Sequence, residues 1–280
     1  MKFRTSALAV IVVGCFSSAG SAETPTERGS YLVNTIGACG NCHARDAAAN
    51  RTPELAGGFE FDGEVGHIVM PNITPDPETG IGKWTEAEIV VASRDGKRPD
   101  GSLIGPPMPI PAYRQMSDHD AAAIAAYLRS LKPVKNSLTR SQYKNPLPPS
   151  YGSPITHVEE PVTTTKAAYG GYLVGIGHCV LCHTPPGDGK PFNMSLAYTG
   201  GRELPRFGQI APSVSRNITA DPEHGIGKWS DDDIKKAITQ GIRPDGTKLA
   251  GPMPYDWYAQ IAPADLDAIT GFRRTITPIK

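Results

Sequence analysis

Along the chain, apolar residues return every three or four positions in several stretches and alternate with polar ones almost nowhere. In "SDHDAAAIAAYLRSLKP", Ile124, Tyr127, Leu128 and Leu131 share one helical face. That pattern predicts a helix opening at Ser117 and closing before Pro133. "APADLDAITGFRRTITP" repeats it ahead of Pro278. "WTEAEIVVASRDG" and "WSDDDIKKAITQG" predict two more helices, with Thr85 and Ser230 as N-caps, acidic residues in the first turn, and Gly96 and Gly241 as stops. Short helices carrying Tyr31-Leu32-Val33 and Tyr172-Leu173-Val174 precede the cysteines. The segments between are rich in Gly and Pro and follow no period. The expected class is mostly α, with long Gly/Pro-rich loops.

These elements are written twice. "NITPDPETGIGKW" from Asn72 returns as "NITADPEHGIGKW" from Asn217. "GKRPDG" from Gly96 returns as "GIRPDG", and "PMP" at 107–109 returns at 252–254, all at an offset of 145. "YLVNTIGACGNCHA" pairs with "YLVGIGHCVLCHT", its cysteines at an offset of 140. Self-similarity of this kind marks a tandem repeat of one structural unit. Residues 135–165 ("NPLPPSYGSP" within them) are rich in Pro, Ser and Thr and are expected to form a semi-extended linker. The expected division is two domains, 24–134 and 166–280.

Composition changes this picture little. The 280 residues are 39% hydrophobic and 20% charged, enough for a core. Lys plus Arg balance Asp plus Glu at 28 each, so there is no excess of basic charge of the kind that nucleic-acid binding needs. The first residues matter more. Lys2 and Arg4, an apolar run from Ala7 to Val13 and small residues up to Ala22 have the layout of a secretory signal peptide over 1–22. Its removal leaves the mature chain slightly acidic. A second reading takes "VVGC" as a lipoprotein signal with Cys15 as the lipid anchor. Both export the chain, and the expected location is the periplasm.

Beyond Cys15, the cysteines come as two close pairs, Cys39/Cys42 and Cys179/Cys182, each followed at once by a histidine, His43 and His183. C-x-x-C-H is the attachment signature of a c-type haem. Two thiols about one helical turn apart reach the two vinyl groups on one porphyrin edge, and the adjacent histidine turns under the ring to ligate the iron. A zinc ribbon wants its cysteine pairs about 15–20 residues apart, and here they are far more distant. A thioredoxin-like site wants a C-x-x-C beside a βαβ pattern, which neither pair has. Two disulfides would leave both histidines unexplained.

The repeat selects the other axial ligand. Met70, Met116, His67, His119 and His224 face Ser215, Ile261, Pro212, Ala264 and Thr79 across the repeat, so none is duplicated. Met108 and Met253 are, each as Pro-Met-Pro, although methionine is more often core filler. Flanking prolines restrict the backbone that must hold each thioether in place. The expected metal ligands are therefore His43 with Met108 and His183 with Met253. That set raises the potential and fills both axial positions. Trp84/Trp229, Arg98/Arg243 and Tyr113/Tyr258 are duplicated too and are expected as pocket walls, the arginines as donors to carboxylates.

These strings resemble the c-type cytochrome subunits of bacterial periplasmic alcohol and gluconate dehydrogenases and of molybdenum hydroxylases, whose modules run from "YLV…C-x-x-C-H" through "PNITPD…GIGKWT", "RPDG" and "PPMP" to "AIAAYLRSLKPV". The resemblance spans nearly all of 28–134 and 169–280. It implies two tandem class I cytochrome c folds, His/Met iron and electrons passed from a dehydrogenase towards the respiratory chain; the expected acceptor is a soluble cytochrome, a copper protein or an oxidase. Many such subunits have three haems and a C-terminal membrane anchor, whereas two haem motifs stand here. The expected function is electron transfer without substrate chemistry. The main rival is a haem enzyme such as a thiosulfate dehydrogenase or a diheme peroxidase, and a haem-based sensor ranks last.

Overall fold

A computed structural model describes residues 23–44, 54–189, 191–208 and 210–280, so the leader and Cys15 lie outside the described residues. The first copy contains α1 (Pro25–Asn34), α2 (Gly40–His43), the hairpin β1 (Glu60–Gly63) and β2 (Gly66–Val69), α3 (Glu86–Arg94), α4 (Ile110–Tyr113) and α5 (Asp118–Ser130). A short strand, β3 (Gln142–Tyr143), lies between the copies. The second copy contains α6 (Lys166–Ile176), α7 (Cys179–Cys182), the strand pair β4 (Glu203–Leu204) and β5 (Ser213–Val214), α8 (Asp231–Gln240), α9 (Tyr255–Tyr258) and α10 (Pro263–Arg273). The helices follow in the same order twice.

Local chemistry explains the helix ends. Thr85 Oγ1 accepts from Glu88 N at 3.2 Å while the Glu88 carboxylate accepts from Thr85 N at 2.8 Å, a capping box that opens α3. Ser230 and Asp233 do the same for α8. Gly241 closes α8 at φ +64°, and Gly96 follows α3 at φ +66°. The hairpin was not legible in the apolar pattern. It pairs Phe61 with Ile68 and Gly63 with Gly66 across a turn, and β3 adds to its edge through Gly66 and Tyr143.

In each copy the first helix crosses the last at a glycine. A Cβ built on Gly29 would lie 1.9 Å from the Ala123 carbonyl oxygen of α5, and one on Gly170 would lie 1.9 Å from that of Ala268 in α10. Only a residue without a side chain lets these backbones approach so closely. Gly29→Ala or Gly170→Ala is expected to destabilise the fold by about 3 kcal/mol, the upper end of overpacking costs. Urea denaturation followed by circular dichroism reads this, and an unchanged midpoint would refute the close crossing.

The copies share a core. One apolar cluster runs from Leu32 and Ile36 through Tyr113 to Leu173, Val174, Trp257 and Tyr258, while a second, with Val33, Leu55, Ile89 and Leu128, belongs to the first copy. A reciprocal clasp surrounds the junction. Tyr31 Oη donates to Asp265 Oδ2 at 2.7 Å and accepts from Ala262 N at 3.1 Å. Tyr172 Oη donates to Asp120 Oδ2 at 2.7 Å and accepts from Ser117 N at 3.2 Å. Corresponding residues of the two copies exchange corresponding bonds, as in a two-fold dimer made within one chain.

Residues 135–165 run along the first copy. Ser141 Oγ accepts from Val69 N at 3.0 Å, Tyr151 Oη donates to Ile104 O at 2.8 Å, and the His157 imidazole meets the Asp118 carboxylate at 2.6 Å. A proline-rich segment has few backbone donors, and side chains supply many of these ties.

Candidate functional site

Both cysteine motifs fold as single helical turns entered from a left-handed residue, Ala38 at φ +45° and His178 at φ +44°. Just before that residue, Gly37 N donates to Leu32 O and Gly177 N to Leu173 O, both at 2.8 Å, which brings the chain back towards the preceding helix. His43 N donates to Cys39 O at 2.9 Å and His183 N to Cys179 O at 3.0 Å. A helical turn at this spacing carries the two sulfurs of each pair on one side. The left-handed residue is a local strain of about 1–2 kcal/mol kept at each motif.

The imidazoles are placed alike. His43 Nδ1 lies 2.9 Å from Pro71 O and His183 Nδ1 lies 2.7 Å from Arg216 O. Residues 71 and 216 stand at the repeat offset, immediately before "NIT". A carbonyl can only accept, so Nδ1 carries the proton and Nε2 keeps its lone pair for a metal. Burial lowers the His43 pKa; burial first, and the Arg273 cation second, push His183 down to about 4. Both rings are thus neutral at pH 7, as iron ligation requires.

Thiol chemistry separates the candidate roles. Burial pushes Cys39 and Cys42 up to about 12 and Cys182 up to about 11. A redox-active C-x-x-C needs the opposite, a thiol pulled down towards neutrality. No group of three or more His, Cys, Asp or Glu side chains converges as a metal site among the described residues.

Cys179 and Met253 line one apolar cavity together with Tyr258, Ile261 and Arg273 of their own copy and Ile36 of the other. Met108 packs against the shared core, as Met253 does. Each Pro-Met-Pro loop turns the same way into the next helix, Ile110 N donating to Met108 O at 2.8 Å and Tyr255 N to Met253 O at 2.9 Å. Trp84 packs against the first copy's own apolar cluster, and Trp229 packs against the shared core. Tyr258 Oη donates to Gly177 O at 3.1 Å beside the second motif. The duplicated arginines spend one nitrogen locally. Arg98 Nη1 donates to Leu103 O at 2.5 Å and Arg243 Nη1 to Thr247 Oγ1 at 3.1 Å, holding the turn before each methionine loop.

Four contributors are invisible to motif reading. The Pro71 and Arg216 carbonyls have no side-chain signature. Trp257 faces Ala112 across the repeat and so escapes a search for duplicated residues. It is 6% exposed and lies on Gly40, where a Cβ would come within 2.3 Å of its Cη2, so the second copy covers the first cysteine motif. Arg273 escapes the same search, because Leu128 holds its place in the first copy.

Two thiols, a neutral imidazole with Nε2 free and a thioether suit a covalently held porphyrin iron. Comparison with known proteins agrees. Residues 26–132 match the Cytochrome c family. The chain is 34% identical over 284 residues to the alcohol dehydrogenase (quinone) cytochrome c subunit of Gluconacetobacter polyoxogenes, covering 92% of this chain and 58% of that protein. It is 31% identical to the gluconate 2-dehydrogenase cytochrome c subunit of Pantoea cypripedii, over 87% and 58% of the two chains. A diheme cytochrome c-type protein of Cereibacter sphaeroides is 32% identical over 228 residues, 78% of this chain and 74% of its own. The chain therefore spans little more than half the length of the two dehydrogenase subunits.

Proposed function

The chain belongs to the cytochrome c family and carries two covalently attached haem c groups, and we propose that it is a periplasmic carrier taking electrons from a partner dehydrogenase towards the respiratory chain. Haem supplies a one-electron iron couple. The chain's own residues do the rest. Cys39 with Cys42, and Cys179 with Cys182, anchor one group each. His43 and His183, their rings fixed by the Pro71 and Arg216 carbonyls, would offer Nε2 to the iron. Met108 and Met253, each held in a Pro-Met-Pro loop, would supply the second protein ligand to each iron, and a doubly ligated iron would shuttle electrons rather than bind a substrate. Trp84, Trp229 and the 24–134 and 166–280 domains around them keep water from the rings, and low dielectric with little reorganisation suits electron transfer.

The carrying observation is that both copies hold their imidazole on the same backbone carbonyl and repeat the same methionine loop. The dehydrogenase partner is supported by the named subunits the chain is similar to, and the acceptor in this reading is a soluble cytochrome, a copper protein or an oxidase. Export through residues 1–22, or lipid anchoring at Cys15, places it outside the cytoplasm. No helix among the described residues is long and apolar enough to cross a membrane.

A haemochrome assay and a potentiometric titration test the proposal together. Two haems per chain, two one-electron steps and a reduced spectrum indifferent to carbon monoxide are expected. Carbon monoxide binding to either native haem would reveal an open iron and overturn the carrier reading.

A further inference from the structure

Arg273 stands at the end of α10, 5% exposed, and lines the cavity that holds Cys179 and Met253. Its Nε finds no hydrogen-bond partner, and no carboxylate pairs with its guanidinium among the described residues. The Tyr198 ring, with its centroid 5.9 Å from the guanidinium carbon, is a partial substitute for lost hydration. Arg94, the other buried arginine with an unpartnered Nε, differs: its Nη1 reaches Asp118 at 2.6 Å and Met116 O at 3.1 Å. At the repeat offset Arg273 answers to Leu128, which is 7% exposed in the apolar core of the first copy. One site is walled by a leucine where the other holds a cation.

We propose that Arg273 sets the electrochemical difference between the two sites: its buried charge, which Leu128 does not supply in the first copy, raises the midpoint of the second haem and biases electrons to run from the first copy to the second. This rests on the reading of both sites as haem c. Reduction lowers the positive charge of an iron porphyrin by one, so a fixed cation nearby favours the reduced state. A unit charge within about 10 Å, at an effective dielectric of about 20, changes the equilibrium roughly tenfold. For a one-electron couple that is about 59 mV. One electron leaves the first site, which is oxidised, and reduces the second; the dehydrogenase replaces it at the first and the acceptor removes it from the second. Leu128 gives the first site no such charge, and the sense of flow follows from this one difference between the copies.

The test is spectroelectrochemistry of the intact two-haem protein carrying Arg273→Leu, which installs the first copy's own residue, and Arg273→Lys, which keeps the charge. The one-electron step belonging to the second haem is the one that Met253→Ala displaces. In Arg273→Leu that step is expected to fall so that the exchange constant between the haems changes about tenfold. The other step should stay in place, and Arg273→Lys should retain most of the native spacing. An unchanged second step in Arg273→Leu, or an equal fall in Arg273→Lys, overturns the proposal. Failure of the underlying reading looks different: the wild-type protein would then lack two haems or two one-electron steps before any arginine variant is examined.

Discussion

Met253→Ala is expected to abolish the long-wavelength sulfur-to-iron band of one haem and to lower that haem's midpoint by on the order of 0.1 V or more, within the ~0.8 V that axial ligands command. Met108→Ala should do the same to the other haem and leave the first untouched. A thioether is a weak donor and a poor stabiliser of ferric iron, so its loss to water or to a nitrogen favours the oxidised state. Met253 lines the cavity with Cys179, and the loop holding it turns directly into α9 through the Tyr255 N to Met253 O bond at 2.9 Å. Flanking prolines leave the loop little freedom to bring up another ligand. The control lies in the same protein. Met116 is 1% exposed and Met70 is 5% exposed, both are core filler, and neither is repeated. Met116→Leu should cost about 1 kcal/mol of stability or less and move neither band nor midpoint. If Met253→Ala kept both native spectra, the thioether would not be the ligand, and the carrier reading would lose the occupied axial position on which it depends.

What could be read from the chain and what could not divide along a physical line. α3 and α8 were legible to their ends because caps, acidic first turns and a stop glycine are local and lie on side chains. Duplication singled out the cysteine pairs and Met108 with Met253 as candidates, and the structure brings Met253 to one cavity with Cys179 while the unrepeated Met116 is buried in the core. The carbonyls that fix the imidazoles were not, since any residue type supplies one: proline does so at 71 and arginine at 216. The meeting of the copies was also hidden. Tyr31 and Tyr172 read as apolar positions on short helices, yet their hydroxyls reach across 234 and 52 residues of chain to Asp265 and Asp120. Asymmetry was hardest to see. A repeat search rewards sameness, and Trp257 and Arg273 matter because their counterparts are Ala112 and Leu128.

Asymmetry also governs the response expected at the clasp, where Asp120→Ala should destabilise the protein by about 3–5 kcal/mol and Asp265→Ala by about 1 kcal/mol. The two aspartates receive matching tyrosine hydroxyls, but only Asp120 also binds an arginine. Arg28 Nε meets Asp120 Oδ1 at 2.7 Å and Nη2 meets Oδ2 at 2.9 Å, a two-point pair with the carboxylate 2% exposed. Tyr169 occupies the position of Arg28 in the second copy. Removing Asp120 strands a largely buried guanidinium, whereas removing Asp265 leaves a neutral phenol. Acid should expose the same difference. Burial raises the Asp120 pKa, but the bonds from Arg28 and Tyr172 outweigh it and the net shift is downward. A carboxyl whose folded value lies below its unfolded value of about 3.9 contributes fully above that value and loses its contribution as pH falls through the folded one. The wild type should therefore lose more stability than Asp120→Ala as pH falls from about 5 through the folded value of Asp120. Urea titrations of both variants at neutral and acid pH measure this directly. Equal losses for Asp120→Ala and Asp265→Ala at neutral pH would mean that the arginine pair adds nothing beyond the shared tyrosine bonds. The copies would then be held by their common apolar core, with Trp257 seated on Gly40 by packing alone.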